Sequence, residues 1–280
     1  MGDSEASEPA KSADWLALCR RAVEGAREAM APYTTIAERS ERTGRGAGGD
    51  QALIIDRAAE DAIFAELTAF GRPLTAISEE RGRVPVHGGS SLQVVIDPID
   101  GSLNAKRGMP LYCLSFAVAD GLTMGDVDFA FVYDFGSGEE WWAASGEGAY
   151  LNDARLEQLV QGGRVEILGV ESGDPRRSAR VANALAATTA HRLRLIGSIA
   201  LGLAWVAGAR FDALLSLRSI RSVDAAAGQL IVREAGGAVA FPDIEGGDLA
   251  APLDLDMRSH VVAANGSGLA HELARDVLGA

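Results

Sequence analysis

The feature that most constrains this chain is a change of rhythm near residue 160. From Tyr112 to Asn152 the sequence runs in short apolar stretches broken by tight turns, SFAVADG, DVDFAFVYDFGSG and EEWWAASGEG. That is the pattern of an antiparallel meander. After about residue 163 strands and helices alternate: VEILGVE, a helix near 176–188, LRLIG, a helix near 198–208, FDALLSL and a helix near 224–235. The chain therefore predicts an α/β protein in which an α+β half is followed by an α/β half. The cut falls near 155–165, giving 13–160 and 161–280, with residues 1–12 (MGDSEASEPAKS) as a mobile tail. With 280 residues, 48% of them apolar, there is enough material to bury a real core.

Upstream of the meander, Trp15, Leu18, Cys19, Ala22, Ala26 and Met30 fall at helical spacing within 14–31. The Gly-rich stretch ERSERTGRGAGGD (38–50) reads as a mobile loop. Residues 52–70 read as a second helix, with Ile55, Ala59, Ile63, Leu67 and Phe70 on one side and Gly71 as its stop. LTAIS (74–78) and LQVVID (92–97) read as buried strands joined by a Gly/Pro/Ser linker, and each ends in acids.

Charge and cysteine content exclude several classes. Lys and Arg number 26 against 39 Asp and Glu, a net charge of −13, which argues against the nucleic-acid backbone as a partner. Cys19 and Cys113 are far apart, so neither a disulfide framework nor a thiolate zinc site is expected. The N-terminus lacks an apolar signal region, and the longest uncharged stretch, 195–209, falls short of the ~20 residues that span a bilayer. A cytoplasmic protein without membrane attachment is the expectation.

Three acidic groups stand where strands or helices end: Glu79-Glu80, Asp97-Pro98-Ile99-Asp100-Gly101-Ser102, and Asp224 opening the run Ala225-Ala226-Ala227-Gly228. Each has an ordinary reading, as a surface pair, a turn and a helix N-cap respectively. Yet two Asp three residues apart, held by a proline, offer oxygen ligands of the kind Mg²⁺ takes. A helix starting after Gly101 would place an anion site beside them.

These three groups, in order and spacing, resemble the motifs of the inositol monophosphatase/fructose-1,6-bisphosphatase superfamily. Asp56 in IIDRAAED, the segment 197–213 and the segment 225–237 are similar to the family as well, so the resemblance runs from about residue 15 to the C-terminus. It implies a layered αβαβα sandwich of the sugar phosphatase type and Mg²⁺-dependent hydrolysis of phosphate monoesters on small polyols or sugars. By position, Glu79, Asp97 and the Ile99 carbonyl would hold a first ion. Asp97, Asp100 and Asp224 would hold a second, and Glu79 would share a third. Gly101 and Ser102 would receive the phosphate. Glu79 and Ser102 would orient an attacking water on the first ion, supported by Asp56. Gly197 and Ser198 fall among the implied substrate contacts. The second ion neutralises the leaving group, so no histidine is needed, and His87, His191, His260 and His271 all lie outside the motifs.

Departures from the family pattern sharpen the reading. Ser102 replaces the usual Thr, and Val223 stands where Trp often precedes the third-motif Asp, as in the dual-activity archaeal-type enzymes. The Gly-rich stretch 44–49 is similar to their mobile catalytic loop, but the Asp50-Gln51-Ala52 continuation differs. Leu217 takes the place of an inositol-contacting acid, and Arg218 and Arg221 follow. An arginine in the pocket would favour a second phosphate, whereas the bland alternative leaves both as solvated surface. Inositol monophosphate and fructose 1,6-bisphosphate are thus the implied substrates, in a homodimeric enzyme. The rivals are a phosphatase for 3′-phosphoadenosine 5′-phosphate or NADP, and a catalytically silent metal-binding protein on the same fold.

Overall fold

In the computed structural model, residues 12–49, 51–160 and 165–279 are described, so nearly all of the expected 1–12 tail lies outside the described residues. The first helical layer comprises α1 (Ser12–Met30), the single turn α2 (Ile36–Arg39) and α3 (Ile54–Ala69), with the hairpin β1 (Arg42–Arg45) and β2 (Gln51–Leu53) between the last two. Helix α1 buries Trp15, Leu18, Cys19, Ala22, Val23 and Ala26, and α3 buries Ile55, Ala59, Ile63, Phe64 and Leu67. These two apolar stripes pack together and onto the outer face of the first sheet.

That sheet holds β3 (Leu74–Ser78), β4 (Gly82–Val86), β5 (Gln93–Asp100), β6 (Cys113–Ala119), β7 (Val127–Asp134), β8 (Glu140–Ala144), β9 (Gly148–Leu151) and β10 (Ala154–Arg155). Its order is β10-β9-β8-β7-β6-β5-β3-β4, and the predicted meander forms β6 through β10. Strand β4 occupies what reads as a linker in the sequence. Its Pro85 is tolerated because β4 lies at the sheet edge, where a missing N–H leaves no ladder bond unmade. Short helix α4 (Ser102–Arg107) follows β5 directly.

The second sheet is mixed, in the order β12-β11-β13-β15-β14. Its strands are β11 (Ile167–Glu171), β12 (Arg192–Arg194), β13 (Ala213–Ser216), β14 (Ala238–Ala240) and β15 (Val262–Ala264). The predicted alternation accounts for its three parallel strands, and β14 and β15 add antiparallel pairs. The single helix expected near 176–188 is two short ones, α5 (Pro175–Arg180) and α6 (Ala182–Ala187). The break falls at Val181, which leaves helical geometry and packs into the outer apolar layer with α9 (Ser267–Leu273).

Helices α7 (Ile199–Ala207) and α8 (Ser222–Glu234) form the middle layer, sharing one apolar cluster with both sheets. Helix α8 is buried continuously from Ser222 to Val232, which explains its run of small residues. At Gly228 an added Cβ would lie 2.6 Å from the Cβ of Leu203, so α7 and α8 touch at that point. The layers run helix, sheet, helix, sheet, helix, the αβαβα sandwich.

Candidate active site

The acids meet because of strand direction. Strands β3 and β5 are parallel neighbours, with Ser78 opposite Ile96, so the residues that follow, Glu79 just past the end of β3 and Asp97 within β5, stand side by side. The Glu79 amide donates to the Ile96 carbonyl at 3.2 Å. Alternation alone would turn Asp97 and Asp100 to opposite faces. Between them, however, the β5–β6 pairing slips: Asp97 pairs with Ser115 and Asp100 with Cys113. This bulge, at a proline that has no N–H to give, turns both carboxylates to the same end. Gly101 then adopts φ +95°, and an added Cβ would meet the Leu111 carbonyl oxygen at 2.9 Å, so only glycine makes the turn into α4.

Asp224 arrives from the middle layer. The Val223 carbonyl accepts the Ser115 hydroxyl at 3.2 Å, seating the start of α8 over β6. Carboxylate oxygens of Glu79, Asp97 and Asp224 lie within 4.8 Å of one another. Around this trio is a cavity of about 360 Å³ lined by Gln51, Asp56, Glu79, Glu80, Asp97, Ile99, Asp100, Gly101, Ser102, Leu103, Gly197, Arg218, Arg221 and Asp224. The structure thus gathers the sequence-derived candidates in one place. Ser198 sits just beneath, buried, donating its hydroxyl to Asp100 Oδ2 at 2.8 Å. The Ile99 carbonyl accepts the Ser102 hydroxyl at 2.8 Å, and Asp97 Oδ1 accepts the Ile99 amide at 3.0 Å.

Crowding of buried acids disfavours their ionised forms. Burial raises the Asp97 carboxyl well above its ordinary range, and Glu79, Asp100 and Asp224 add to the rise. Burial also raises Glu79, opposed by Arg221. Asp100 is pushed up to about 7 by burial and by Asp224, against the pull of the Ser198 hydroxyl and the Ala200 amide. Asp56 reaches about 7 and Glu80 about 8, in both cases chiefly through burial. Asp56 Oδ1 and Glu80 Oε2 are buried with no hydrogen-bond partner among the described residues. An all-oxygen donor set, converging acids whose burial favours the proton and two orphaned carboxylate oxygens fit hard divalent cations.

The two arginines part company. The Arg221 guanidinium is drawn inward, 2.6 Å from Glu79 Oε1 and 3.6 Å from Asp224 Oδ1, and donates to the Gly48 carbonyl at 3.4 Å. Arg218 lines the cavity, half-buried, with no hydrogen bond or ion pair among the described residues, and its field acts on Asp100 and Glu171.

The stretch read as a mobile loop is instead built into the site. Residues 42–45 and 51–53 pair as a hairpin, and its tip docks on the end of β3. Ala47 N donates to the Glu80 carbonyl at 3.0 Å, and Gly48 N to the Glu79 carbonyl at 2.7 Å. The glycines permit this approach: a Cβ at Gly46 would lie 2.5 Å from Glu80 Oε2, and one at Gly48 would lie 2.5 Å from Arg221 Nη1. Sequence reasoning left Gln51, Leu103 and Glu80 off the site. Glu80 was within reach through its neighbour Glu79, and Gln51 through the Gly-rich stretch that it follows, but nothing in the sequence marks Leu103.

The layering and the carboxylate cavity at parallel strand ends define the class of layered sugar phosphatases. The sequence profile of the inositol monophosphatase family matches residues 13–278, and the chain belongs to that family. It is 36% identical over 263 residues to the fructose-1,6-bisphosphatase/inositol-1-monophosphatase of Methanothermobacter thermautotrophicus, covering 89% of this chain and 91% of that one. Identity to the protein of the same name from Archaeoglobus fulgidus is 32% over 256 residues, covering 90% and 94%. Among solved structures, a Pyrococcus horikoshii protein with similarities to inositol-1 monophosphatase superposes with a TM-score of 0.78 at 26% identity, covering 95% and 99%. The chain is a phosphoric monoester hydrolase, and its similarity is to archaeal members of the family. Among the described residues no helix is long and apolar enough to cross a membrane.

Proposed function

We propose that this enzyme is a Mg²⁺-dependent phosphatase of small polyol and sugar phosphates, with inositol monophosphate and fructose 1,6-bisphosphate as its substrates. The observation that carries this reading is the convergence of Glu79, Asp97 and Asp224 beside the Gly101-Ser102 turn in one cavity. Glu79, Asp97 and the Ile99 carbonyl would hold one ion, and Asp97, Asp100 and Asp224 a second, with Glu79 open to a third. When bound, such ions supply positive charge for the phosphate and acidify a water into a nucleophile.

The chain's own groups do the rest. Backbone N–H groups at Gly101 and Ser102, at the start of α4, receive phosphate oxygens. Glu79 and the Ser102 hydroxyl orient the attacking water, and Asp56 supports them from behind. The four motif carboxylates, counted alone and ionised, contribute about −4, which two divalent cations would cancel and three would turn to about +2. An acidic protein thereby accepts an anionic ester. Residues 13–160 supply the phosphate turn and three of the four motif acids, while 161–280 supplies Asp224 and the substrate contacts Gly197, Arg218 and Arg221; Ser198, expected as a further contact, lies buried beneath the cavity and holds Asp100 instead of reaching a substrate. Arg218, already at the cavity wall, suits a second phosphate. We place the enzyme in the cytoplasm as a homodimer.

Phosphate release from inositol 1-phosphate, fructose 1,6-bisphosphate, 3′-phosphoadenosine 5′-phosphate and NADP, with Mg²⁺ and with EDTA, tests this. The first two are expected to turn over only with Mg²⁺, and Asp97→Asn to lose at least about 100-fold. Turnover that survives EDTA refutes the mechanism. Preference for the adenine-bearing compounds selects the other substrate class, and no release from any of the four selects the silent binding protein. Arg218→Ala should impair bisphosphate more than monophosphate turnover, and equal effects on both would remove Arg218 from substrate recognition.

A further inference from the structure

Glu171 ends β11 as a buried carboxylate that does not line the cavity. Its Oε1 accepts the Ile196 amide at 2.7 Å and its Oε2 the Gly197 amide at 2.9 Å. Both oxygens therefore grip one turn, residues 196–198, which leads into α7. From that turn, bonds run to the other half of the site. The Ile196 carbonyl accepts Asn104 Nδ2 from α4 at 2.7 Å. Ser198 Oγ and the Ala200 amide both donate to Asp100 Oδ2, at 2.8 and 2.6 Å. Gly197, at φ +82°, lets the turn close on Asn104, whose Nδ2 lies 2.9 Å from where a Cβ would stand. The backbone carbonyl of Glu171 also accepts the Leu217 amide at 2.6 Å, next to Arg218.

Asp100 stands apart from the trio whose oxygens converge, so its orientation depends on this turn. Its Oδ2 is fixed there by two donors, which sets the direction in which the rest of the carboxylate faces the cavity.

We propose that Glu171 is a positioning residue: by clamping residues 196–198 it sets the orientation of Asp100 and hence the affinity of the cation that Asp100 holds. This rests on the reading of the cavity as a divalent-cation site. The physical reason is that two N–H bonds to one carboxylate are strong and directional, and a carboxamide cannot replace both. A glutamine would turn its NH₂ towards one of the two amides, and an alanine would leave both without an acceptor.

The test is titration of the metal-free full chain with Mn²⁺ in the absence of substrate, by calorimetry and by electron paramagnetic resonance. Glu171→Gln and Glu171→Ala are expected to weaken one class of Mn²⁺ site by about 10-fold or more and to leave the other class intact. Ser198→Ala, which cuts the same path without disturbing β11, should weaken the same class, and the double variant should lose no more than either single one. Ser198→Ala also keeps the question open to measurement if the Glu171 variants fail to fold. A purely structural role would lower the melting temperature without singling out one class of cation site. Wild-type affinities and stoichiometry in Glu171→Gln and Ser198→Ala overturn the proposal. Failure of the wild-type chain to bind Mn²⁺ at all overturns the cation reading, and the proposal falls with it.

Discussion

Replacing Asp56 by asparagine should stabilise the cation-free protein at high pH although it removes a group of the active site. Folding raises the Asp56 carboxyl from 3.8 to about 7, because burial disfavours its charge. Below about pH 4 both folded and unfolded chains hold the proton, and the group has no effect on stability. As pH rises towards 7 the unfolded chain ionises first, so the folded state loses stability, and above about 7 the loss is complete. At 1.36 kcal/mol for each pKa unit the full loss is about 4 kcal/mol. The asparagine side chain keeps the shape and an acceptor for the Leu53 amide, which Asp56 Oδ2 binds at 3.1 Å, but never ionises.

From about pH 4.5 to 8 the variant should therefore gain about 3 kcal/mol over the wild type. For a chain of this length the unfolding entropy is about 0.6 kcal/mol/K, which converts the gain to roughly 5 °C. Thermal melts of both proteins in EDTA across that range read it, together with a contribution of the same sign from Glu80, whose carboxyl the Asp56 charge helps to raise. Adding Mg²⁺ at about pH 8 should raise the wild-type melting temperature more than that of Asp56→Asn, since cation charge relieves the ionised acids. Parallel melting curves, with a gap that does not change with pH, would refute the argument.

Other expectations follow from packing. In Gly48→Ala the new methyl meets Arg221 Nη1 at 2.5 Å and Glu79 Cγ at 3.2 Å, so the hairpin tip should lift. Hydrogen exchange at the Ala47 and Gly48 amides should rise and turnover fall, while the melting temperature moves by no more than about 1 °C. Unchanged exchange would show that the tip is not seated as described. Gly228→Ala forces α7 and α8 apart against Leu203 and should cost about 1–3 kcal/mol, a drop of roughly 2–5 °C in melting temperature. A variant that melts with the wild type would contradict the close crossing of the two helices.

Much of this enzyme is legible in its sequence. Residue chemistry and spacing suffice for the two helices before the meander, the meander itself and the βα alternation, because each is a local pattern of period or turn residue; they mark the acids at the ends of strands and helices, and it is the resemblance to the family that singles out the four motif carboxylates. Glu171 obeys the same rule as Glu79 and Asp97, an acid closing a buried apolar strand, and was open to the same inference. Other features have no local signature. The bulge that turns Asp97 and Asp100 the same way exists only in the pairing of β5 with β6. The docked hairpin depends on carbonyls of Glu79 and Glu80 some thirty residues away, so its glycines read as slack rather than as close contacts. Arg218 and Arg221, alike in sequence, separate only once α8 has carried Arg221 against Glu79.

The sequence by itself determined which groups are available for chemistry and the kind of element that bears each. Tertiary structure decided that they meet, through the parallel register of β3 with β5 and the seating of α8 across both sheets. Secondary structure responds to neighbours a few residues away, whereas convergence of charges is fixed by how layers pack. Only packing places the four motif acids, with Asp56 and Glu80, in one cavity and raises the proton affinities of Glu79, Asp97 and Asp100.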